Sequence, residues 1–205
     1  MKTTFSVKAL QAEPLPTVDA VVVGASAGGV EALLTIYGRL PPGYRLPIIS
    51  VLHLPEARPS QLALVFASRL AVPVKEADDK EAIVPGQLYF AAPAYHLSVE
   101  RDLTLSLSQE ERVYYSRPSI DYLFESAADA YGDRLAGVLL TGANNDGARG
   151  LARIKEYGGL TVVQEPSEAR SPIMPEAALA LHSPDYLLPL DDIGRLLVEL
   201  ERCAC

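Results

Sequence analysis

The chain is poor in the features that mark membrane, disulfide-built and nucleic-acid-binding proteins. No apolar run approaches the ~18 residues that a membrane-crossing helix needs, so no membrane insertion is expected. Cysteine is almost missing. Cys203 and Cys205 are the only two; they are too close in sequence for an ordinary disulfide and lack neighbouring ligands for zinc, so they read as part of a frayed tail. Beyond Lys2 the N-terminus holds little that resembles a secretory signal, which makes the cytoplasm the expected location. Basic residues are outnumbered, with 18 Lys and Arg against 26 Asp and Glu and a formal charge of -8. Such a balance removes the clustered cations on which non-specific nucleic-acid binding draws.

What is present suffices for one soluble domain, since 205 residues with 49% hydrophobic and 21% charged content can bury a sizeable core. Residues 1–17 lack a clear period and end in Glu13-Pro14-Leu15-Pro16-Thr17, so they read as a leader or linker ahead of a domain over 18–205. From Asp19 onward, strands expected near 19–24, 47–52, 72–76, 136–141, 160–164 and 186–190 alternate with helices expected over about 29–39, 59–70, 119–131, 147–157, 175–182 and 191–202. The strand runs lack a period of two, which implies a parallel sheet covered on both faces. The expected fold is therefore α/β, three-layer and doubly wound, with a mostly parallel sheet. In the middle, Gln87-Leu88-Tyr89-Phe90, Leu97-Ser98-Val99-Glu100 and Leu103-Thr104-Leu105-Ser106-Leu107 read as an inserted antiparallel excursion, with Arg101-Asp102 as a two-residue β-hairpin connection. Pro118-Ser119 opens the next helix with a capping serine.

The most informative stretch is Val21-Val22-Val23-Gly24-Ala25-Ser26-Ala27-Gly28-Gly29, an apolar strand that runs into a glycine turn bearing one serine. A dinucleotide fingerprint needs glycine where Ser26 stands and an acid where His53 ends the next strand; a phosphate loop needs a Lys-Ser or Lys-Thr that is not there. Gly24-Ala25-Ser26-Ala27-Gly28 does match a nucleophile elbow, although short glycine turns also serve only tight strand–helix packing. His53 follows the strand Ile48-Ile49-Ser50-Val51-Leu52, and Asp146-Gly147 follows Gly137-Val138-Leu139-Leu140-Thr141. Each group taken alone has a plain reading as a turn or a cap. Together they stand beyond the carboxyl ends of parallel strands, where ligands collect. The chemistry expected is a serine hydrolase in which Ser26 attacks, His53 takes the proton and Asp146 orients the imidazole, with the backbone N–H near Ala27 facing the oxyanion. The order Ser26, Asp146, His182 is a rival triad, set against the reading of His182 as the last turn of a helix; His96 reads as a loop histidine near the site.

The chain resembles the catalytic domain of the chemotaxis protein-glutamate methylesterases, the CheB family, over about residues 18–190. The markers are Gly24-Ala25-Ser26-Ala27-Gly28-Gly29, Leu52-His53-Leu54-Pro55, Val74-Lys75-Glu76-Ala77, and Pro85-Gly86-Gln87-Leu88-Tyr89-Phe90-Ala91-Ala92-Pro93 with His96. Pro118-Ser119-Ile120-Asp121-Tyr122-Leu123-Phe124, Leu139-Leu140-Thr141-Gly142, Asp146-Gly147-Ala148-Arg149-Gly150 and Met174-Pro175-Glu176-Ala177-Ala178 complete the series. The resemblance implies Ser26, His53 and Asp146 as the triad. It implies hydrolysis of glutamate γ-methyl esters on methylated chemoreceptor helices with release of methanol, deamidation of receptor glutamines in some members, and neither a metal nor an organic cofactor. The family usually has threonine at Ala27 and Gly-Met-Gly at Gly142-Ala143-Asn144, so a methionine acting through its backbone N–H is matched by Ala143. Arg149, one turn beyond Asp146, is expected to steer an acidic receptor surface, with a solvated helix residue as the plain reading. Family members commonly carry a receiver domain, which residues 1–17 cannot form, so the expectation is either a free-standing enzyme or a receiver that is a separate partner. Two other functions stay open: a hydrolase of small esters or amides with the same triad, and a signalling adaptor that keeps the fold without turnover.

Overall fold

The computed structural model describes residues 14–53 and 61–204. Most of the expected leader, the Leu54-Pro55 marker, the first residues of the helix expected over 59–70, and Cys205 lie outside the described residues. The elements are β1 (Ala20–Ala25), α1 (Gly29–Tyr37), β2 (Ile48–Leu52), α2 (Leu62–Ala67), β3 (Val74–Glu76), β4 (Leu88–Phe90), β5 (His96–Val99), β6 (Leu105–Ser108), α3 (Ile120–Tyr131), β7 (Leu135–Leu139), α4 (Ala148–Glu156), β8 (Leu160–Gln164), α5 (Ile173–Leu181), β9 (Tyr186–Leu188) and α6 (Leu190–Ala204).

Seven strands form one sheet in the order β3-β4-β2-β1-β7-β8-β9, and every neighbouring pair runs parallel. All residues of β1, β2 and β7 are buried. That is why these runs show no alternation: both faces of a parallel strand are covered. Alternate side chains of β1 feed two cores. Val21 and Val23 join Leu33 and Ile36 of α1, Phe66 of α2 and Leu196 of α6 on one face. Ala20 and Val22 join Phe124 of α3, Leu151 of α4, Met174 of α5, and Leu97 and Leu105 of the β5-β6 pair on the other. The three-layer doubly wound architecture follows from this division. The one polar side chain in β2, Ser50, is satisfied by a buried hydrogen bond of 2.7 Å with the Tyr37 hydroxyl of α1.

Three expectations are corrected. The 87–90 segment belongs to the main sheet rather than to the antiparallel excursion, as β4 pairs in parallel with both β2 and β3. The reason is burial: Leu88 and Phe90 enter one core and Tyr89 the other, which suits only an interior strand. Among the described residues, antiparallel strand pairing joins β5 to β6, with isolated antiparallel bridges at Ala82–Thr104 and Val113–Ser116. Their connection is longer than two residues. Leu103 N–H donates to Glu100 at 2.9 Å and Glu100 N–H to Thr104 at 2.9 Å, with Leu103 in the left-handed region at φ 62°. Asp102 Oδ1 braces this loop by accepting from the Thr104 hydroxyl at 2.7 Å. Finally, α6 continues to Ala204, carried by the buried stripe Ile193, Leu196, Leu197 and Leu200. Cys203 is thus an exposed helical residue rather than part of a frayed end.

Candidate active site

The chain winds outward from β1 in both directions, through β2 on one side and β7 on the other. Such a reversal opens a crevice beyond the carboxyl ends of the central strands. Ser26 follows β1, His53 follows β2, and Asp146 lies in the loop after β7. Backbone bonds continue past the strands and fix these ends together. His53 N–H donates to Ala25 at 3.0 Å, Ser26 N–H to Thr141 at 2.9 Å, and Leu140 N–H to Gly24 at 2.9 Å. Ser26 and His53 therefore continue the register in which Ala25 faces Leu52.

Two glycines make the serine turn possible. A Cβ at Gly24 would lie 2.3 Å from Ile120 Cγ2, so the bare backbone lets the start of α3 press against β1. Gly28 takes φ 83° as the N-cap of α1, with no side-chain cap, and Gly29 N–H closes the turn on Ser26 at 2.8 Å. Left-handed backbone of this kind suits glycine. Ser26 is half-buried and Ala27 exposed. Among the described residues, the N–H groups of Ala27, Gly28 and Ala143 donate to no acceptor, and the first two sit at the positive end of α1.

Asp146 is fully buried and every acceptor position on it is used. Oδ2 accepts from His53 Nε2 at 2.9 Å and from Ile120 N–H at 2.8 Å. Oδ1 accepts from the Ser119 hydroxyl at 2.8 Å and from Asp121 N–H at 2.9 Å. The carboxylate thus caps α3 from a different segment, meeting the free N–H groups and the positive end of that helix. Desolvation pushes its pKa up, but the hydrogen bonds from His53, Asp121 and Ile120 outweigh that and hold it below the usual carboxylate range. Ser119 itself accepts from Tyr122 N–H at 3.4 Å, as an N-cap does.

His53 shows Nε2 to Asp146, which leaves Nδ1 as the nitrogen free to take a proton. In the serine-protease arrangement the two nitrogens have the opposite assignments. Ser116 Oγ stands 3.5 Å from Nδ1. Ser26 Oγ makes no hydrogen bond among the described residues, so the structure brings His53 and Asp146 together directly and Ser26 only through the adjoining backbone. His182, the rival third member, caps the end of α5, and both its ring nitrogens are buried without a partner among the described residues. Asp146 pairs with His53 instead. His96 is fully buried beneath the site: its Nδ1 accepts Ser119 N–H at 3.2 Å, so Nε2 carries the proton donated to the Glu111 carbonyl at 3.0 Å. Burial depresses its pKa and keeps the ring neutral.

Arg149 is paired, with Nε 3.5 Å from Asp121 Oδ2 and Nη2 3.1 Å from Glu125 Oε1. Asp121 is buried, and among the described residues its Oδ2 has no hydrogen-bond partner. Desolvation raises its pKa to about 6. Ala143 lies in a loop fastened to the segment before α5, where Gly142 N–H donates to Ser171 at 3.1 Å and Ser171 N–H to Thr141 Oγ1 at 2.9 Å. Sequence reasoning missed the N–H groups of Ile120 and Asp121, Ser116 and Arg170. Ile120 and Asp121 fall within the Pro118–Phe124 marker but act here through backbone N–H groups, which no residue letter signals. Ser116 and Arg170 carry no periodic or motif signal, because each matters through where a loop is placed. Among the described residues, no group of three or more His, Cys, Asp or Glu side chains is placed to hold a metal ion.

Comparison with known proteins identifies the family. The family model for CheB methylesterase matches residues 21–197. A Leptospira interrogans relative carrying the paired name protein-glutamate methylesterase/protein-glutamine glutaminase is 46% identical over 184 residues, covering 90% of this chain and 95% of that one. A Methanospirillum hungatei protein of the same name is 37% identical over 180 residues, covering 88% of this chain and 51% of that one. The crystal structure of the Thermotoga maritima CheB methylesterase catalytic domain superposes with a TM-score of 0.85 at 31% identity, over 90% of this chain and 100% of that one.

Proposed function

Since this chain belongs to the CheB methylesterase family, we propose that it hydrolyses glutamate γ-methyl esters on chemoreceptor helices through Ser26, His53 and Asp146. The observation that carries this reading is the His53–Asp146 hydrogen bond of 2.9 Å at the strand end next to Ser26. In this reading the Ser26 hydroxyl gives its proton to His53 Nδ1, the ring nitrogen not engaged by Asp146. The ring takes that proton as Oγ bonds to the ester carbonyl carbon, and negative charge develops on the carbonyl oxygen. The N–H groups of Ala27 and Ala143, joined by Gly28, supply donors for that charge, each worth on the order of 3 kcal/mol in the transition state. When the tetrahedral centre collapses, the imidazolium returns the proton to the methoxy oxygen and methanol leaves. Water then repeats the sequence on the acyl-serine, regenerating Ser26 and releasing a glutamate carboxylate. Asp146 keeps the proton on Nε2 throughout and stabilises the imidazolium that forms.

Receptor glutamine deamidation uses the same steps with ammonia as the leaving group, in keeping with the paired names of the relatives. A cytoplasmic location belongs to the same reading. Arg149 enters it with less free charge than its residue type implies. A methanol-release assay on methylated receptor tests the proposal: Ser26→Ala, His53→Ala and Asp146→Ala are each expected to abolish turnover. Retained turnover in Ser26→Ala removes the serine mechanism. Hydrolysis of p-nitrophenyl acetate without release from receptor favours a small-ester enzyme, and inactivity on both favours an adaptor.

A further inference from the structure

Arg170 lies beside the nucleophile turn, at a place fixed from two directions. Its stem covers Gly28: a Cβ built on that glycine would stand 2.7 Å from Arg170 Cβ, 3.3 Å from Cγ and 2.9 Å from Cδ. Its neighbour Ser171 is fastened through both backbone groups to the Thr141–Gly142 loop. The Thr141 carbonyl in turn accepts Ser26 N–H. Arg170 is exposed, and among the described residues its guanidinium has no carboxylate or carbonyl partner, although Glu165 and Glu168 share its loop. Glu168 is engaged with Leu190 N–H at 2.8 Å, and Glu165 accepts from Ser167. Of the other arginines around the site, Arg149 is already paired with two carboxylates and Arg117 donates to the Gln109 and Glu110 carbonyls. A protein of formal charge -8 repels an acidic substrate at long range, so discrimination in favour of one has to come from a local cation.

We propose that Arg170 is a specificity-determining residue that binds a carboxylate of the protein substrate next to the esterified side chain. This rests on the methylesterase reading above and adds a preference for esters in acidic surroundings. A planar guanidinium with five donors suits a carboxylate, and its stem gains packing from the bare backbone of Gly28.

The experiment compares two helical peptides carrying one glutamate γ-methyl ester, with either Glu or Gln at both positions four residues away, a spacing that shares the helix face. The wild type is expected to favour the Glu peptide in kcat/KM by about fivefold, the size of one well-placed exposed charge pair. That ratio falls to about one in Arg170→Ala, is partly kept in Arg170→Lys, and shrinks in the wild type at high salt. Being internal to each variant, the ratio is insensitive to the fraction of folded enzyme. An unchanged ratio in Arg170→Ala, or no preference in the wild type while both peptides are cleaved, overturns the Arg170 assignment alone. A wild type that cleaves p-nitrophenyl acetate but neither peptide overturns the methylesterase reading and the Arg170 assignment with it.

Discussion

His96 accepts the backbone N–H of Ser119 at 3.2 Å, and the hydroxyl of Ser119 donates to Asp146 at 2.8 Å. A buried neutral histidine is thus one hydrogen bond removed from the carboxylate that holds the candidate base.

Replacing His96 therefore acts on both stability and chemistry. His96→Ala leaves Ser119 N–H and the Glu111 carbonyl without partners, at a cost of about 1–3 kcal/mol. The folded ring resists protonation, so the unfolded chain takes up a proton that the native state refuses, and this residue withdraws stability as pH falls below about 6.5. Urea unfolding of both proteins at pH 8 and pH 5 is expected to show a smaller acid penalty in the variant.

Asp121 acts with the opposite sign. With its pKa raised from 3.8 to about 6, the native carboxyl holds a proton between those values that the unfolded chain has lost. Its contribution therefore favours folding as pH falls from about 6 to about 4, and opposes it above. Asp121→Asn keeps an oxygen to accept Gly150 N–H, made at 2.7 Å, and removes the buried charge. The expected result is a gain in stability at pH 8 relative to pH 4, on the order of 2 kcal/mol, read from denaturation midpoints at the two pH values.

Gly28→Ala tests the serine turn. The substituent meets Arg170 at 2.7 Å in a backbone at φ 83°. A loss of roughly 1–2 kcal/mol is expected from the left-handed conformation alone. Calorimetry of Gly28→Ala with and without Arg170→Gly, which removes the Cβ at 2.7 Å together with Cγ and Cδ, separates the two effects: relief in the double variant, beyond the cost of Arg170→Gly alone, measures the clash.

The buried Tyr37–Ser50 pair should be non-additive. Tyr37→Phe and Ser50→Ala each leave one hydroxyl alone, at about 1–3 kcal/mol. The double variant is expected to cost less than the sum, and chemical denaturation of the four proteins gives the coupling.

Much of this was legible beforehand. The apolar runs around Val22, Ile49 and Val138 gave the central strands because burial on both faces leaves no period of two. Their adjacency also placed Ser26, His53 and Asp146 at one edge. The segment around Tyr89 was misread because a strand of three residues carries too little pattern to tell an interior strand from a hairpin arm. The Arg101-Asp102 loop was misjudged because Leu103 adopts a left-handed conformation that its residue type does not advertise. The support beneath Asp146 was opaque for another reason: backbone N–H groups have no letter in a sequence, and Arg170 reaches the site through a loop.

Because Asp146 draws three of its four hydrogen bonds from the first turn of α3, fraying of that helix and disarming of the imidazole are a single event. Heat should silence the protein at the temperature where this one turn loosens, ahead of the collapse of the sheet. Turnover is then a thermometer for the end of a helix.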